Sequence, residues 1–288
     1  MEVMTGNSDV VLAGGMEHLT HVPMSNNPSL APNTRLLTRP EYMRYQMSTG
    51  YSMGLTAEKL AEEARMTREE MDRFSVGSHM KASQSVRDGW FRGELLDMKV
   101  EVAGEEKVID VDQSIRGDTS MDQMSNLPPS FKSGGLITAG NSSPLNAGAA
   151  MVALASKEKL QEHGIDPIAK VVSMGWAGVD PSVMGKGPVP ASLKALSRAG
   201  IGADEVDLWE INEAFAVVVL YAIRELGLDP SRVNQHGGAI AIGHPLGASG
   251  ARLVGTLARQ LKVTKKEFGM ASLCVGGGQG FAMLLQRA

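Results

Sequence analysis

Gly237-Gly238-Ala239-Ile240-Ala241-Ile242-Gly243-His244-Pro245-Leu246-Gly247-Ala248-Ser249-Gly250 is the stretch on which the fold turns. A short apolar run, broken by glycines, leads through one histidine and one proline into a helical segment, Ala251-Arg252-Leu253-Val254-Gly255-Thr256-Leu257. Glycine is placed where backbone bends sharply or comes close to something else. His244 is the one group in the stretch whose ordinary pKa lies near neutrality. A histidine on a glycine-built turn at a helix entrance reads as a catalytic base.

Outward from this turn, strands and helices alternate. Ile168 to Gly175 and Asp207 to Ile211 read as strands, Val189 to Ala199 and Ala214 to Leu226 as helices. Val233 to His236 is expected to form a brief strand. Phe268 to Cys274 runs as a strand into Gly276-Gly277-Gly278, and Phe281 to Leu285 returns as another. Alternation of this kind defines an α/β fold.

Towards the N-terminus, Asp9-Val10-Val11-Leu12-Ala13-Gly14-Gly15 is a buried strand closed by paired glycines. From Met16 to about Tyr51 no period appears, and prolines at 23, 28, 32 and 40 mark an irregular excursion. Thr56 to Ala64 and Thr67 to Trp90 are helical, the second opened by the capping box Thr67-Arg68-Glu69-Glu70. Met98 to Val111 reads as a strand pair across Gly104-Glu105, and Ala149 to Ala155 as a small-residue apolar segment. Met1 to Thr5 reads as the end of a helix that breaks at Gly6-Asn7.

Composition narrows the function. A length of 288 residues with 43% hydrophobic and 21% charged positions describes a globular protein with a real core. A net charge of −4 gives no basic field for nucleic acid. The longest apolar run, Ala214 to Ile223, is too short to span a bilayer. One cysteine, Cys274, rules out an internal disulfide and a cysteine-based zinc site, so no metal site is expected.

Three stretches carry chemistry. Trp209-Glu210-Ile211-Asn212-Glu213-Ala214-Phe215 places Asn212 where a strand meets a helix. It reads either as an N-cap or as an amide holding a water or an oxyanion at the carboxyl edge of a sheet. Gly238 to Pro245 is not a P-loop, because His244 and Pro245 stand where lysine and Ser/Thr would hold phosphate and magnesium. Gly247-Ala248-Ser249-Gly250 is not a Gly-x-Ser-x-Gly nucleophile elbow. Cys274, a small buried hydrophobe by default, precedes three glycines whose N–H groups can face an anion. That glycine run is not a dinucleotide turn, since only a short strand follows it.

Together these segments resemble the thiolase family of acyl-CoA:acetyl-CoA C-acyltransferases. The resemblance rests on Asn212 to Ala216, on Asn234 to Gly250, and on Cys274-Val275-Gly276-Gly277-Gly278. Thr138-Ala139-Gly140-Asn141-Ser142-Ser143 and Gly178-Val179-Asp180-Pro181 extend it over the whole chain. It implies the thiolase fold, a layered αβαβα arrangement of two similar halves, the first incomplete here. Residues 1–14 and 146–166 would belong to the N-terminal domain, 15–145 to an inserted loop domain over the substrate, and 167–288 to the C-terminal domain.

By the same resemblance His244 would activate a nucleophilic cysteine and Cys274 would shuttle a proton. Asn212, through a water, would join His244 in stabilising an enolate oxygen, and the Gly276 N–H would serve a second oxyanion hole. Ser143, Arg116, Met53, Ala139, Ala214 and Phe215 would line the coenzyme A site. No permanently bound cofactor is implied; coenzyme A and acetyl-CoA are substrates.

The family's nucleophilic cysteine precedes the segment that opens this chain. The expectation is therefore an N-terminally truncated thiolase of the 3-ketoacyl-CoA kind, in fatty acid β-oxidation, inactive as it stands. An acetoacetyl-CoA-specific thiolase and a non-catalytic remnant that binds coenzyme A or pairs subunits are the alternatives. Ser52 and Ala147 depart from residues common in relatives, His and Asp respectively, which bears on substrate preference. A homodimer or homotetramer of the full-length protein, in the cytoplasm, completes the expectation, with targeting left open.

Overall fold

A computed structural model describes residues 1–22 and 38–288. Of the irregular excursion, Pro23, Pro28 and Pro32 lie outside the described residues, and Pro40 opens a short helical turn, Pro40–Met43. Met1 to Thr5 forms a hydrogen-bonded turn and not a helix end, with the Thr5 N–H donating to the Met1 carbonyl at 2.9 Å and Gly6 at φ +73°.

Strand β1 (Val10–His18) is longer than the apolar run alone predicts and is not buried as expected, because its residues alternate between exposed and half-buried. It pairs antiparallel with β4 (Ala147–Ala155) in a register from Val10 opposite Ala155 to His18 opposite Ala147. Between them in the chain lie helices α1 (Met53–Glu63) and α2 (Arg68–Arg87), then a hairpin of β2 (Met98–Val102) and β3 (Glu105–Ile109) that turns at Ala103-Gly104. The capping box that opens α2 forms as expected. Thr67 Oγ1 accepts from the Glu70 N–H at 3.2 Å, and Glu70 Oε2 accepts from the Thr67 N–H at 2.7 Å.

The second half builds a four-stranded sheet from β5 (Ala169–Gly178), β6 (Leu208–Ile211), β7 (Phe268–Val275) and β8 (Gln279–Arg287). Their order is β5-β8-β7-β6, with β6 and β7 parallel and the other pairs antiparallel. Helices α3 (Pro188–Ala199) and α4 (Ala216–Leu226) contribute Ala195, Leu196, Val219 and Ala222 to a core with Trp209, Ile211, Met270 and Leu284. On the opposite face, α6 (Leu246–Thr264) follows the four-residue helix α5 (Ala239–Ile242). Its Leu253, Leu257 and Leu261 pack with Leu208, Ala271 and Leu285. Each of these buried leucines stabilises the layer by about 1.5–3 kcal/mol.

The other side of α6 meets the β1–β4 sheet, so it lies between two sheets and the layers run helix, sheet, helix, sheet. That contact needs glycine. A Cβ on Gly15 would sit 2.2 Å from the Gly247 carbonyl oxygen, and one on Gly247 would sit 2.3 Å from the Met16 carbonyl oxygen. The solvent face of β1–β4 presents Leu12, Met16 and Met151, each about two-thirds exposed.

Two local expectations are corrected. Helix α4 begins at Ala216 with Phe215 as its N-cap and no side-chain cap bond, so Asn212 is not the cap. Val233 to His236 forms no strand; one parallel bridge joins Val233 to Trp209, and Asn234 then takes φ +45° and leaves the ladder. Among the described residues no helix is long and apolar enough to cross a membrane.

Candidate active site

The turn at His244 is fixed from both sides. Gly243 takes φ +98°, a conformation that L side chains rarely adopt, and a Cβ there would collide with Asn146 Nδ2. The same Asn146 accepts from the His244 backbone N–H through Oδ1 at 3.1 Å. Pro245 then caps α6, and its carbonyl accepts from Ser249 Oγ at 2.9 Å.

That bond decides the histidine's tautomer. With its one proton given to the Pro245 carbonyl, Ser249 Oγ accepts at 2.6 Å from His244 Nδ1, which therefore carries the ring proton. Nε2 is left with its lone pair and takes a hydrogen bond from Asn212 Nδ2 at 3.2 Å. Burial, and secondarily the Arg252 guanidinium, push the His244 pKa down to about 4. The ring is neutral at pH 7, and its unprotonated Nε2 can act as a base by exchanging the Asn212 hydrogen bond for a proton.

Asn212 and Cys274 stand at the carboxyl ends of the neighbouring parallel strands β6 and β7. The Asn212 N–H donates to the Ser272 carbonyl at 2.9 Å, two residues before Cys274. Asn212 is fully buried, and its Oδ1 has no hydrogen-bond partner. A buried acceptor of this kind is normally satisfied, so the oxygen marks a position for a water or a substrate group. Burial pushes the Cys274 thiol up to about 12, against a smaller pull from its own backbone N–H. The sulfur stays protonated and is suited to giving a proton rather than attacking as a thiolate.

Gly276, in the turn after β7, faces α1: a Cβ on it would lie 3.8 Å from Met53 Sδ. Met53 packs against the core cluster that also contains Cys274, Ala214 and Phe215. The Ser143 N–H donates to the Ala214 carbonyl at 3.0 Å, and Ser142 bridges to Phe215. These contacts bring Ser143, Ala214 and Phe215 together. Ala139 is exposed at the start of a one-turn helix, Ala139–Asn141. The loop before it is held by the buried Glu58 carboxylate, which accepts from the Leu136 and Ile137 N–H groups at 2.9 Å each.

Arg116 stands apart. Its side chain is exposed, its backbone N–H donates to His79 Nδ1 at 3.2 Å, and it shares no hydrogen bond with Ser143, Ala139, Ala214 or Phe215.

Sequence reasoning missed Ser249 and Asn146, both of which touch His244 directly. A polar residue on the buried side of the first turn of a helix is a weak signal for Ser249. For Asn146 there is none, since its partner lies 98 positions away.

The layered α/β fold sets a neutral histidine in hydrogen-bond contact with a buried amide at the end of β6, with a protonated thiol at the end of the neighbouring strand β7. Residues 1–158 match the thiolase N-terminal domain and residues 165–287 the thiolase C-terminal domain. The chain is 41% identical over 289 residues to an acetyl-CoA acetyltransferase of Shinella zoogloeoides, covering 99% of this chain and 74% of that protein. It is equally 41% identical over 290 residues to a 3-ketoacyl-CoA thiolase of Marinobacter nauticus, with 99% and 72% covered. The crystal structure of human mitochondrial 3-ketoacyl-CoA thiolase superposes with a TM-score of 0.88 at 34% identity, over 100% of this chain and 74% of that one. The Bacillus anthracis acetyl-CoA acetyltransferase gives 0.87 at 35%, with the same coverage. The chain belongs to the thiolase family and has the thiolase fold.

Proposed function

We propose that this chain supplies the acid–base half of a thiolase site, cleaving 3-ketoacyl-CoA with coenzyme A or running the reverse condensation. The observation that carries the reading is the unprotonated His244 Nε2, which accepts from the Asn212 amide at 3.2 Å. In the thiolytic direction a cysteine thiol gives its proton to His244 and attacks the ketone carbonyl. The carbon–carbon bond breaks, and the electron pair passes to the acetyl-CoA enolate. The enolate oxygen is held by Asn212, through a water at its unpaired Oδ1, and by the His244 N–H formed in the first step. Cys274 protonates the enolate carbon, then takes a proton from incoming coenzyme A, whose thiolate removes the acyl group from the nucleophile. The Gly276 N–H serves the oxyanion of the acyl-transfer step.

The nucleophile has no counterpart among these 288 residues, whose one cysteine is the buried Cys274. An apolar cleft of about 230 Å³ between the two sheets supports a nucleophile arriving on a further helix. Gly247, Gly250, Ala251 and Val254 of α6 line one side of it. Their spacing is that of a helix face. The 288 residues alone are thus inactive as a thiolase, while retaining coenzyme A binding through Ser143, Met53, Ala139, Ala214 and Phe215, which Arg116 joins by the family resemblance.

Domain limits at 14/15, 145/146 and 166/167, a homodimeric or homotetrameric full-length assembly, a cytoplasmic site and a 3-ketoacyl rather than acetoacetyl preference belong to the same reading. Isothermal titration of coenzyme A into the 288-residue chain tests it. Binding with one site per chain, weakened by Arg116→Ala, is expected; absence of binding removes the proposal.

A further inference from the structure

Glu213, next to Asn212, takes no part in this chemistry, yet three separate pieces of the molecule converge on its carboxylate. It is 1% exposed. Its Oε2 accepts from Ser78 Oγ at 2.7 Å and from the Ile240 N–H at 3.1 Å, and its Oε1 accepts from Asn234 Nδ2 at 2.8 Å. Ser78 Oγ in turn accepts from the Gly238 N–H at 3.0 Å. A Cβ on Gly238 would lie 2.3 Å from Glu213 Cδ, so the carboxylate rests directly on the backbone of the turn. Asn234 closes the arrangement from behind, bonding both the N–H and the carbonyl of Ile211 at 2.9 Å. Lys81 Nζ, from the same helix as Ser78, donates to the Val233 and Asn234 carbonyls at 3.1 and 3.2 Å.

Each of the three partners is a donor. The ionised carboxylate satisfies all three, whereas a proton on Glu213 could go only to Ser78 Oγ, which would then have to withdraw its own hydrogen bond to Oε2. Burial pushes the Glu213 pKa up, while Ser78, Asn234, Ile240 and Arg252 pull it back. The positions joined are those that set the reacting geometry. Asn212 is one residue away on the strand end, and His244 lies four residues beyond Ile240 on the turn. Ser78 and Lys81 extend the connection to α2, so that helix also holds the turn in place.

We propose that Glu213 is a positioning residue that fixes the His244 turn against Asn212 and couples both to α2. The inference rests on the reading of His244 and Asn212 as the reacting pair. It is tested in the 288-residue chain by titrating the His244 imidazole and reading its ¹⁵N shifts by NMR, with thermal melting in parallel.

Glu213→Gln keeps the shape but turns one accepting oxygen into a donor facing donors. It is expected to loosen and hydrate the turn, raising the His244 midpoint from about 4 by about one pH unit or more. Ser78→Ala moves it the same way by less. Asp72→Asn is the control: this buried carboxylate bonds Arg68 and Asn141 instead. It lowers the melting temperature but leaves His244 where it is. The proposal is overturned if Glu213→Gln melts early with unchanged His244 midpoint and shifts. Should Glu213→Gln not fold, an unmoved His244 in Ser78→Ala overturns it equally. Failure of the proposed function would show as absent coenzyme A binding and would leave the imidazole readout intact.

Discussion

Gly247→Ala probes how the middle helix delivers the histidine. The added Cβ would lie 2.3 Å from the Met16 carbonyl oxygen and 3.1 Å from its carbon, with backbone on both sides. No side chain can swing away, so the start of α6 and strand β1 must separate by about 1 Å to reach ordinary contact. Overpacking of this kind costs about 1–3 kcal/mol. The same turn carries Ser249, whose Oγ is 2.6 Å from His244 Nδ1. A displacement of about 1 Å along that line takes the pair beyond hydrogen-bond range. Urea unfolding should therefore show a lower midpoint at unchanged slope, and the His244 ¹⁵N shifts should lose the Nδ1–H signature. Gly250→Ala supplies the contrast: it lies on the same helix with nothing within 4 Å of the added Cβ. It should gain about 0.5–1 kcal/mol from helix propensity. Equal stability of the two variants would refute the close-approach argument.

Ser249→Ala removes the group that fixes the His244 tautomer. In a cysteine-containing thiolase form of the chain, kcat should fall about 10²-fold with KM little changed, as expected when a general base is disoriented; a KM effect alone would contradict the assignment. Acid should destabilise the fold through its histidines. His79, His236 and His244 are each pushed down to about 4, chiefly by burial, from an ordinary 6.5. Between those values the unfolded chain binds more protons, so their contribution is complete above about 6.5 and is lost as pH falls towards 4. Asp112 and Glu210, raised to about 6 and about 7 by burial, act in the opposite sense, favouring the fold at low pH and opposing it as pH rises through those values. Urea midpoints between pH 4 and 6.5 should show a shallower pH dependence in His79→Gln, by up to one proton; an unchanged slope would show that His79 is not held neutral.

Much of the frame is legible in the residue order because it is local. The Thr67–Glu70 capping box, the apolar strands β1, β6 and β7, and the glycine–histidine turn all depend on neighbours within a few positions. β4 is less legible: Ala147-Gly148-Ala149-Ala150 has little strand propensity of its own, and pairing with β1 imposes its conformation. Asn212 looked like a helix cap because strand and helix adjoin there, but the chain spends Glu213 to Phe215 reaching Ser143 and the buried hydrogen-bond network before the helix starts. Ser78 and Glu213 lie 135 positions apart, and no periodicity announces a contact at that separation. Met53 and Gly276 meet for the same tertiary reason.

These residues are proposed to hold a thiolase's base, proton donor and enolate site but not its nucleophile. The most direct measurement is the coenzyme A-dependent loss of acetoacetyl-CoA absorbance, followed for the 288-residue chain and for the same chain extended by a thiolase segment bearing a helix-leading cysteine. No turnover is expected from the first, and from the second turnover that disappears with His244→Ala. Thiolysis by the 288 residues alone, or a His244→Ala form as active as its parent, would contradict it.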